Sequence, residues 1–385
     1  MKTSARISAV TMLVVPLAAC DAAPREVRVE TADSAGIAIV TSYANDLPVG
    51  VSVQATRTVG EAGDAETLYQ FYAANTAVDG SGNIYVLDRG ANRVHVFDST
   101  GARITAFGGR GSGPGELRFP LALAVSSTGI VRVADVGKHR FVQWNAKGTP
   151  LEEVDMLERY RGGAIGWTIA GMAITEFGAG FQRVVLMRDD RETMTLAEVT
   201  DLPRKALSLP SCGMSFTNMS PIFSPDLPWA AYGDRIVIAR NPEYVLDEYV
   251  SGRHVRSIRR NIPPREATAE LAKESLGDAF RVRVEGEERV CDPAEVVEQQ
   301  GFAPHLPSIE RIALSPDGHL WVQRYTVGKE PGPIDVFDAE GRYIGTIEDG
   351  STFPIGFLPD GRLLVPEMDD MDVQRLVIRT VRFEP

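Results

Sequence analysis

Two stretches decide the reading: Ala77-Val78-Asp79-Gly80-Ser81-Gly82-Asn83-Ile84-Tyr85-Val86-Leu87-Asp88 and Ala124-Val125-Ser126-Ser127-Thr128-Gly129-Ile130-Val131-Arg132-Val133-Ala134-Asp135. Both run from a small apolar pair through a glycine turn into an apolar strand that ends in Asp. They stand 47 residues apart, and the same offset relates Arg93 to Arg140, Val94 to Phe141, Phe97 to Trp144 and Gly101 to Gly148. Each unit reads as strand, Gly turn, strand, polar turn, strand, Asp/Asn-x-x-Gly turn, strand, which is a four-stranded meander. The turn glycine serves as a ruler along the rest of the chain. Gly82, Gly129, Gly233, Gly318 and Gly361 each precede a Val/Ile/Leu-rich strand, at intervals of 47, 104, 85 and 43 residues. The interval of 104 holds two units, the second degenerate around residues 165–199, and the interval of 85 holds one unit plus an insertion. Six meanders of this length predict an all-β, six-bladed β-propeller with a small helical insertion between blades four and five.

The strands Ile84–Leu87 and Ile236–Ala239 are apolar throughout. That is the pattern of a strand covered on both faces, as a blade between two others must be. The last unit, residues 355–384, supplies only three strands, and an open ring would leave a bare sheet edge. Two strand-like stretches, Ile37–Thr41 and Val51–Val59, precede the first full unit. Thr58-Val59-Gly60-Glu61-Ala62-Gly63 echoes Ala106-Phe107-Gly108-Gly109-Arg110-Gly111, which follows an outer strand. An N-terminal strand is therefore expected to complete the sixth blade.

Composition fits a packed globular chain: 44% of the 385 residues are hydrophobic and 24% charged. The net charge of -12 argues against a nucleic-acid partner, which calls for a basic footprint. Three cysteines are too few for a disulfide scaffold or a cysteine-rich metal domain. Lys2 and Arg6 precede an apolar stretch, residues 7–19, that is too short to span a bilayer and reads as a signal peptide. It ends in Leu17-Ala18-Ala19-Cys20, which resembles the bacterial lipobox, and the expectation is lipidation at Cys20. The organisation is then 1–19 signal peptide, 20–26 lipidated tether and 27–385 propeller, with 261–306 a cap insertion. This places the chain in the bacterial cell envelope, membrane-anchored and facing the periplasm or the surface. Cys212 and Cys291 remain in an oxidising compartment, where a disulfide between them is expected and two buried, unpaired thiols are the competing reading.

The repeats resemble NHL-type six-bladed propellers. More closely, the chain is similar to bacterial six-bladed β-propeller lipoproteins, in which a lipobox precedes a Val-Glu-Thr-x-Asp-Ser-x-Gly stretch, here Val29-Glu30-Thr31-Ala32-Asp33-Ser34-Ala35-Gly36. The resemblance implies fold and location and little chemistry.

Alternation of turns puts the blade-to-blade connections and the second-to-third-strand turns on one face. That face collects the Gly-rich connections 60–66 and 108–116, the loop 324–333, the acidic loop 367–372 and the insertion 261–306. In the insertion, Glu266–Leu276 reads as one helix, and a second has Asp292 as N-cap and Pro293 at its first position. The insertion is a lid or a structural cover. Arg89, Arg93, Arg110, His139, Arg140, Arg324 and Tyr325 are the candidate binding residues of this funnel face. Asp88 and Asp135 recur at one repeat position and are expected to cap turns. Residues 108–115 lack the Gly-Lys-Ser/Thr ending of a phosphate loop and lead into a strand, so they read as an interblade connection. Trp321 reads as an interblade core aromatic. No His-Glu-x-x-His or Gly-x-Ser-x-Gly pattern is present.

These features favour a lipid-anchored binding module for an envelope protein, peptide or glycan. Two alternatives stay open at this point. One is a lactonase-like hydrolase or lyase with a calcium-like divalent metal in the central channel; the other is a structural envelope lipoprotein. No resident cofactor is expected.

Overall fold

The computed structural model describes residues 27–59, 71, 75–178, 180–200, 202–284, 287–368 and 374–384. The signal peptide, Cys20 and its tether, the connection 60–66 and most of the loop 367–372 lie outside them. The chain forms six blades around a central axis. Blade one comprises Thr76–Val78, Ile84–Asp88, Arg93–Phe97 and Arg103–Gly108, and blade two Pro120–Val125, Val131–Asp135, Arg140–Trp144 and Val154–Asp155. Blade three, the degenerate unit, comprises Ile165–Thr168, Gly171–Gly178, Phe181–Arg188 and Arg191–Thr200. Blade four is built on Trp229–Tyr232, Arg235–Ala239, Val245–Val250 and Arg253–Arg260, and blade five on Ile309–Leu314, Leu320–Arg324, Ile334–Phe337 and Tyr343–Ile347. Blade six takes Gly356–Phe357, Leu363–Met368 and Gln374–Glu384.

Alternate side chains of one strand go to opposite neighbours, which explains the unbroken apolar runs. Tyr85 and Leu87 pack against blade two with Leu123, Val133 and Trp144. Ile84 and Val86 pack against blade six with Leu364 and Ile378. Four more clusters fill the remaining junctions. Trp321 is buried between blades five and six, 6.1 Å from Phe357. The recurring tight turns need a left-handed residue. Gly101 and Gly148 supply it at φ 81° and 80°, each donating its N–H to the carbonyl of Asp98 or Asn145.

Closure uses the N-terminus twice. Gly50–Val59 pairs antiparallel with Gln374–Glu384 and completes blade six. The other strand-like stretch, Ile37–Tyr43, instead runs parallel to Arg253–Arg260 on the outer edge of blade four, and Arg28–Ser34 pairs outside it. Between the two, residues 46–49 strap the outer edge of blade five. Thr346 N–H donates to the Leu47 carbonyl at 2.7 Å and Val49 N–H to the Thr346 carbonyl at 2.9 Å. Gly345 permits this approach, because a Cβ there would lie 1.8 Å from Val49 Cγ2. The strap is nailed by charge. Asp335, fully buried, accepts from the Tyr244 hydroxyl at 2.7 Å, Arg324 Nε at 2.9 Å, Thr346 Oγ1 at 2.6 Å and Arg260 Nη1 at 2.9 Å. Both arginines also reach Asp46 on the strap.

The insertion holds two helices, α1 (Ala269–Ser275) and α2 (Pro293–Gln300), and the hairpin Phe280–Val284/Glu287–Cys291. α2 starts as expected, with the Asp292 carboxylate accepting from Ala294 N–H. α1 is shorter than Glu266–Leu276. Glu266 bridges to His305 and Ala267 N–H donates to the Pro304 carbonyl, so the first turn is given to an extended pairing and Thr268 becomes the N-cap. A second hairpin, Lys205–Leu209/Met214–Met219, joins the insertion through Leu209, Cys291 and Val296. Cys212 and Cys291 are disulfide-bonded, their Cα atoms 4.9 Å apart.

Candidate functional site: the central channel

The first strand of every blade lies at the inner end of its sheet, with one edge unpaired. The N–H and C=O groups on that edge face the axis, and those not taken by a side chain, as the Leu121 carbonyl is by Asn75 Nδ2, require water or a polar ligand. All six blades border a single cavity of about 640 Å³. Its wall includes Thr76 and Asp79, Ser126 and Ser127, Trp167 and Thr168, Asp226 and Trp229, Glu310 and Arg311, and Phe353.

Trp229 leans across blade three. Its indole N–H donates to Thr175 Oγ1 at 2.7 Å, and Gly166 makes room for the ring: a Cβ there would lie 3.0 Å from two ring carbons. Trp167 stacks under the Arg132 guanidinium at 4.6 Å, and that arginine is paired with Asp190 at 2.8 Å. Arg311 stacks over Phe353 at 4.7 Å, and its Nε donates to Gln323 Oε1 at 2.7 Å. Gln323 is itself fixed, its amide donating to the carbonyls of Gly332 and Gly350 at 2.9 Å each. Burial pulls the Arg311 guanidinium below its ordinary pKa, with neighbouring Glu310 opposing.

Asp226 comes from the Pro-rich approach to blade four. Asn241 Nδ2 donates to it at 2.6 Å, and Asn241 is locked in the junction with blade five by the N–H groups of Ser308 and Ile309, both at 3.0 Å. Burial raises the Asp226 carboxyl above the usual range, the Asn241 amide works against that, and Glu310 adds to it. Asp79 has no such freedom. Its Oδ1 accepts from the N–H groups of Ser81 and Asn83, and its Oδ2 from Asn83 Nδ2 and the Tyr85 hydroxyl.

A calcium-like ion asks for six to eight oxygens. Among the described residues no three of His, Cys, Asp and Glu gather to hold a metal. Asp226 and Glu310 are the wall carboxylates not consumed by their own turn, and two do not make that donor set.

The seven rim residues singled out from sequence do not border this cavity. Arg324 is committed to Asp335 and Asp46. Arg140 pairs with Asp155, and His139 sits in the turn before it at φ 56°. Arg110 is exposed and bridges to Leu117. Arg89 is half-buried beyond Asp88, and Arg93 stands opposite Asp88 in the ladder. Tyr325 packs edge-on against Phe223 at 6.0 Å. Asp88 and Asp135 cap their turns: Asp88 accepts from Gly90 and Ala91 N–H, and Asp135 from Gly137 and Lys138 N–H. In the connection 108–119, Gly113 N–H donates to the Glu116 carboxylate at 2.8 Å, so the chain's own acid takes the place a phosphate would need. Asp226, Trp229, Arg311 and Phe353 carried no signal in the sequence beyond their composition.

Residues 76–158, spanning blades one and two, match a family model described as a 6-bladed beta-propeller. Among curated proteins no sequence match was found. Two similar solved structures are both from Bacteroides. One is a Bacteroides fragilis protein with 13% identity, 90% of this chain and 100% of that one covered, and a TM-score of 0.53. The other is a duf4221 family member from Bacteroides vulgatus, with 11% identity, coverage of 87% and 99%, and a TM-score of 0.50. At such identities the likeness is one of fold.

Proposed function

We propose that this propeller is an exported, lipid-anchored binding module whose central channel takes a small organic ligand. The observation that carries the reading is the convergence of all six inner strands on one cavity of about 640 Å³, within the range of roughly 300–1,000 Å³ usual for such ligands. Its wall combines aromatic surface with a few fixed polar groups. Trp229 is held by Thr175, Arg311 by Gln323 and Asp226 by Asn241. Six apolar junctions keep the ring rigid, so little ordering cost falls on binding.

The anchor reading rests on Leu17-Ala18-Ala19-Cys20. Arg28 pairs with Tyr43, and the neighbouring Ser42 with Arg260, the end of blade four from which the chain leaves for the cap. A tether from Cys20 therefore joins the propeller on its cap side. Residues 20–26, fully extended, span at most about 25 Å, which would keep the cap face towards the bilayer. Among the described residues no helix is long and apolar enough to cross a membrane.

The test is a thermal-shift and tryptophan-fluorescence screen of the mature chain against small sugars, amines, organic acids and peptides. Gly166→Val serves as the channel variant, since its side chain displaces the Trp229 ring. A ligand that raises Tm in the parent and not in Gly166→Val supports the reading. A ligand that binds both equally, or a screen with no binder, overturns it.

A further inference from the structure

Two charged side chains on the channel wall make no ion pair among the described residues. Asp226, on the approach to blade four, makes its described hydrogen bond with a neutral amide, Asn241. Arg311, on the inner strand of blade five, makes its own with a neutral amide, Gln323. Neither forms an ion pair among the described residues, with each other or with any other group. Several other half-buried and buried charges on the strands are matched by an opposite charge: Arg132 with Asp190, Arg183 with Glu176, Arg235 with Glu248, Arg260 with Asp335, while buried Asp135 is held by four backbone N–H groups. An uncompensated charge withdrawn from water is costly, and the directions of the two proton affinities agree that both are so placed. Asp226 and Arg311 thus bring two charges of opposite sign, each hydrogen-bonded to a neutral amide, to one cavity.

We propose that the channel binds a small zwitterion of the amino-acid or short-peptide class, with its ammonium at Asp226 and its carboxylate at Arg311; this rests on the channel being the ligand site. Each end of such a ligand supplies the counter-ion its host residue lacks. A simple anion satisfies Arg311 and meets Asp226 and Glu310 as like charges. A simple amine satisfies Asp226 and leaves Arg311 unmatched. A neutral sugar leaves both charges uncompensated, so the wall discriminates by what it penalises as well as by what it holds. Trp229 offers apolar surface to the part of the ligand between its charged ends, and Phe353 backs the Arg311 guanidinium. The cavity exceeds what one amino acid fills, which favours a short peptide.

The test uses the full mature chain in equilibrium dialysis against an equimolar dipeptide mixture, with retained peptides quantified by mass spectrometry. The mixture is offered free, N-acetylated, C-amidated and doubly capped. The expected result is retention of free dipeptides and about tenfold or greater weakening by either cap, as for loss of a charged hydrogen bond. Asp226→Asn keeps a hydrogen-bond acceptor for Asn241 and should remove the preference for the free amine alone. Arg311→Gln should remove the preference for the free carboxylate alone, and Arg311→Lys should restore part of it. Circular dichroism and a thermal scan establish that each variant is folded. Equal retention of free and capped peptides overturns the proposal, as does retention that neither charge variant alters. If peptides are not retained but a sugar, acid or amine binds in a manner lost in Gly166→Val, the zwitterion falls and the channel reading stands. If nothing binds the channel, both fall.

Discussion

Replacing Asp335 by Ala should be among the most damaging single substitutions outside the apolar junctions. Its carboxylate is 0% exposed and accepts from Tyr244, Arg324, Thr346 and Arg260, the last with a side chain that is 1% exposed. The substitution leaves the Arg260 guanidinium 3.9 Å over the Tyr343 ring with the Ala44 carbonyl at 3.0 Å and Asp46 at 3.3 Å as its remaining partners. Removing one member of a buried, hydrogen-bonded ion pair costs about 3–5 kcal/mol, most of it the penalty of the stranded charge. Asp335→Asn preserves volume and one acceptor and should cost less, about 2 kcal/mol. Asp46→Ala is the control. It removes the outer carboxylate of the same network, which is 52% exposed, so solvent screening should hold its cost to about 1 kcal/mol. Urea unfolding of the mature chain, followed by tryptophan fluorescence and by far-UV circular dichroism, measures all three. The order Asp335→Ala, Asp335→Asn, Asp46→Ala is the expected one. A loss below about 1 kcal/mol for Asp335→Ala, or a larger loss for Asp46→Ala, would refute the reasoning that burial of the acceptor sets the cost.

Three further outcomes are expected. The Arg324 hydrogen bond, with Arg260 beside it, holds the Asp46 carboxyl below its ordinary pKa against the opposing effect of burial; its contribution is complete above the unfolded-state value near 4 and is lost as pH falls through the lower folded value, so Asp46→Ala should narrow its deficit below about pH 4. A deficit that stays constant from pH 7 to pH 3 would contradict this. Cys212→Ala/Cys291→Ala opens a loop spanning 79 residues, worth at most about 4.5 kcal/mol in the chain-entropy picture, and should speed amide exchange in 205–219 and 280–300 while sparing the blades; unchanged exchange in those hairpins would show that the bond does not restrain the cap. Cys20→Ala should abolish palmitate labelling in a lipoprotein-competent bacterial host and release the protein from membranes, and persistent labelling would place the lipid elsewhere or remove the anchor reading.

The ring was legible because a blade repeats its own physics. The turn glycines must be left-handed and both faces of the middle strands must be apolar, so spacing and composition recur together, as at Ile84–Asp88 and Val131–Asp135. What did not recur was hidden. Ile37–Tyr43 and Gly50–Val59 carry the same kind of residues, and the difference between bracing blade four and closing blade six lies in their partners, more than 200 residues away. Arg324 shows the same blindness in the opposite sense. Alone in a loop-like stretch it resembles a ligand-binding cation; in the fold it is shared between Asp335, 11 residues on, and Asp46, 278 residues back. Asp226 and Arg311 are ordinary charges in the sequence, and their significance is a deficit: each stands on the channel hydrogen-bonded to a neutral amide and, among the described residues, in no ion pair. A deficit of partners cannot be read from spacing. It becomes visible once the ring has closed and the neighbours of every charge are known.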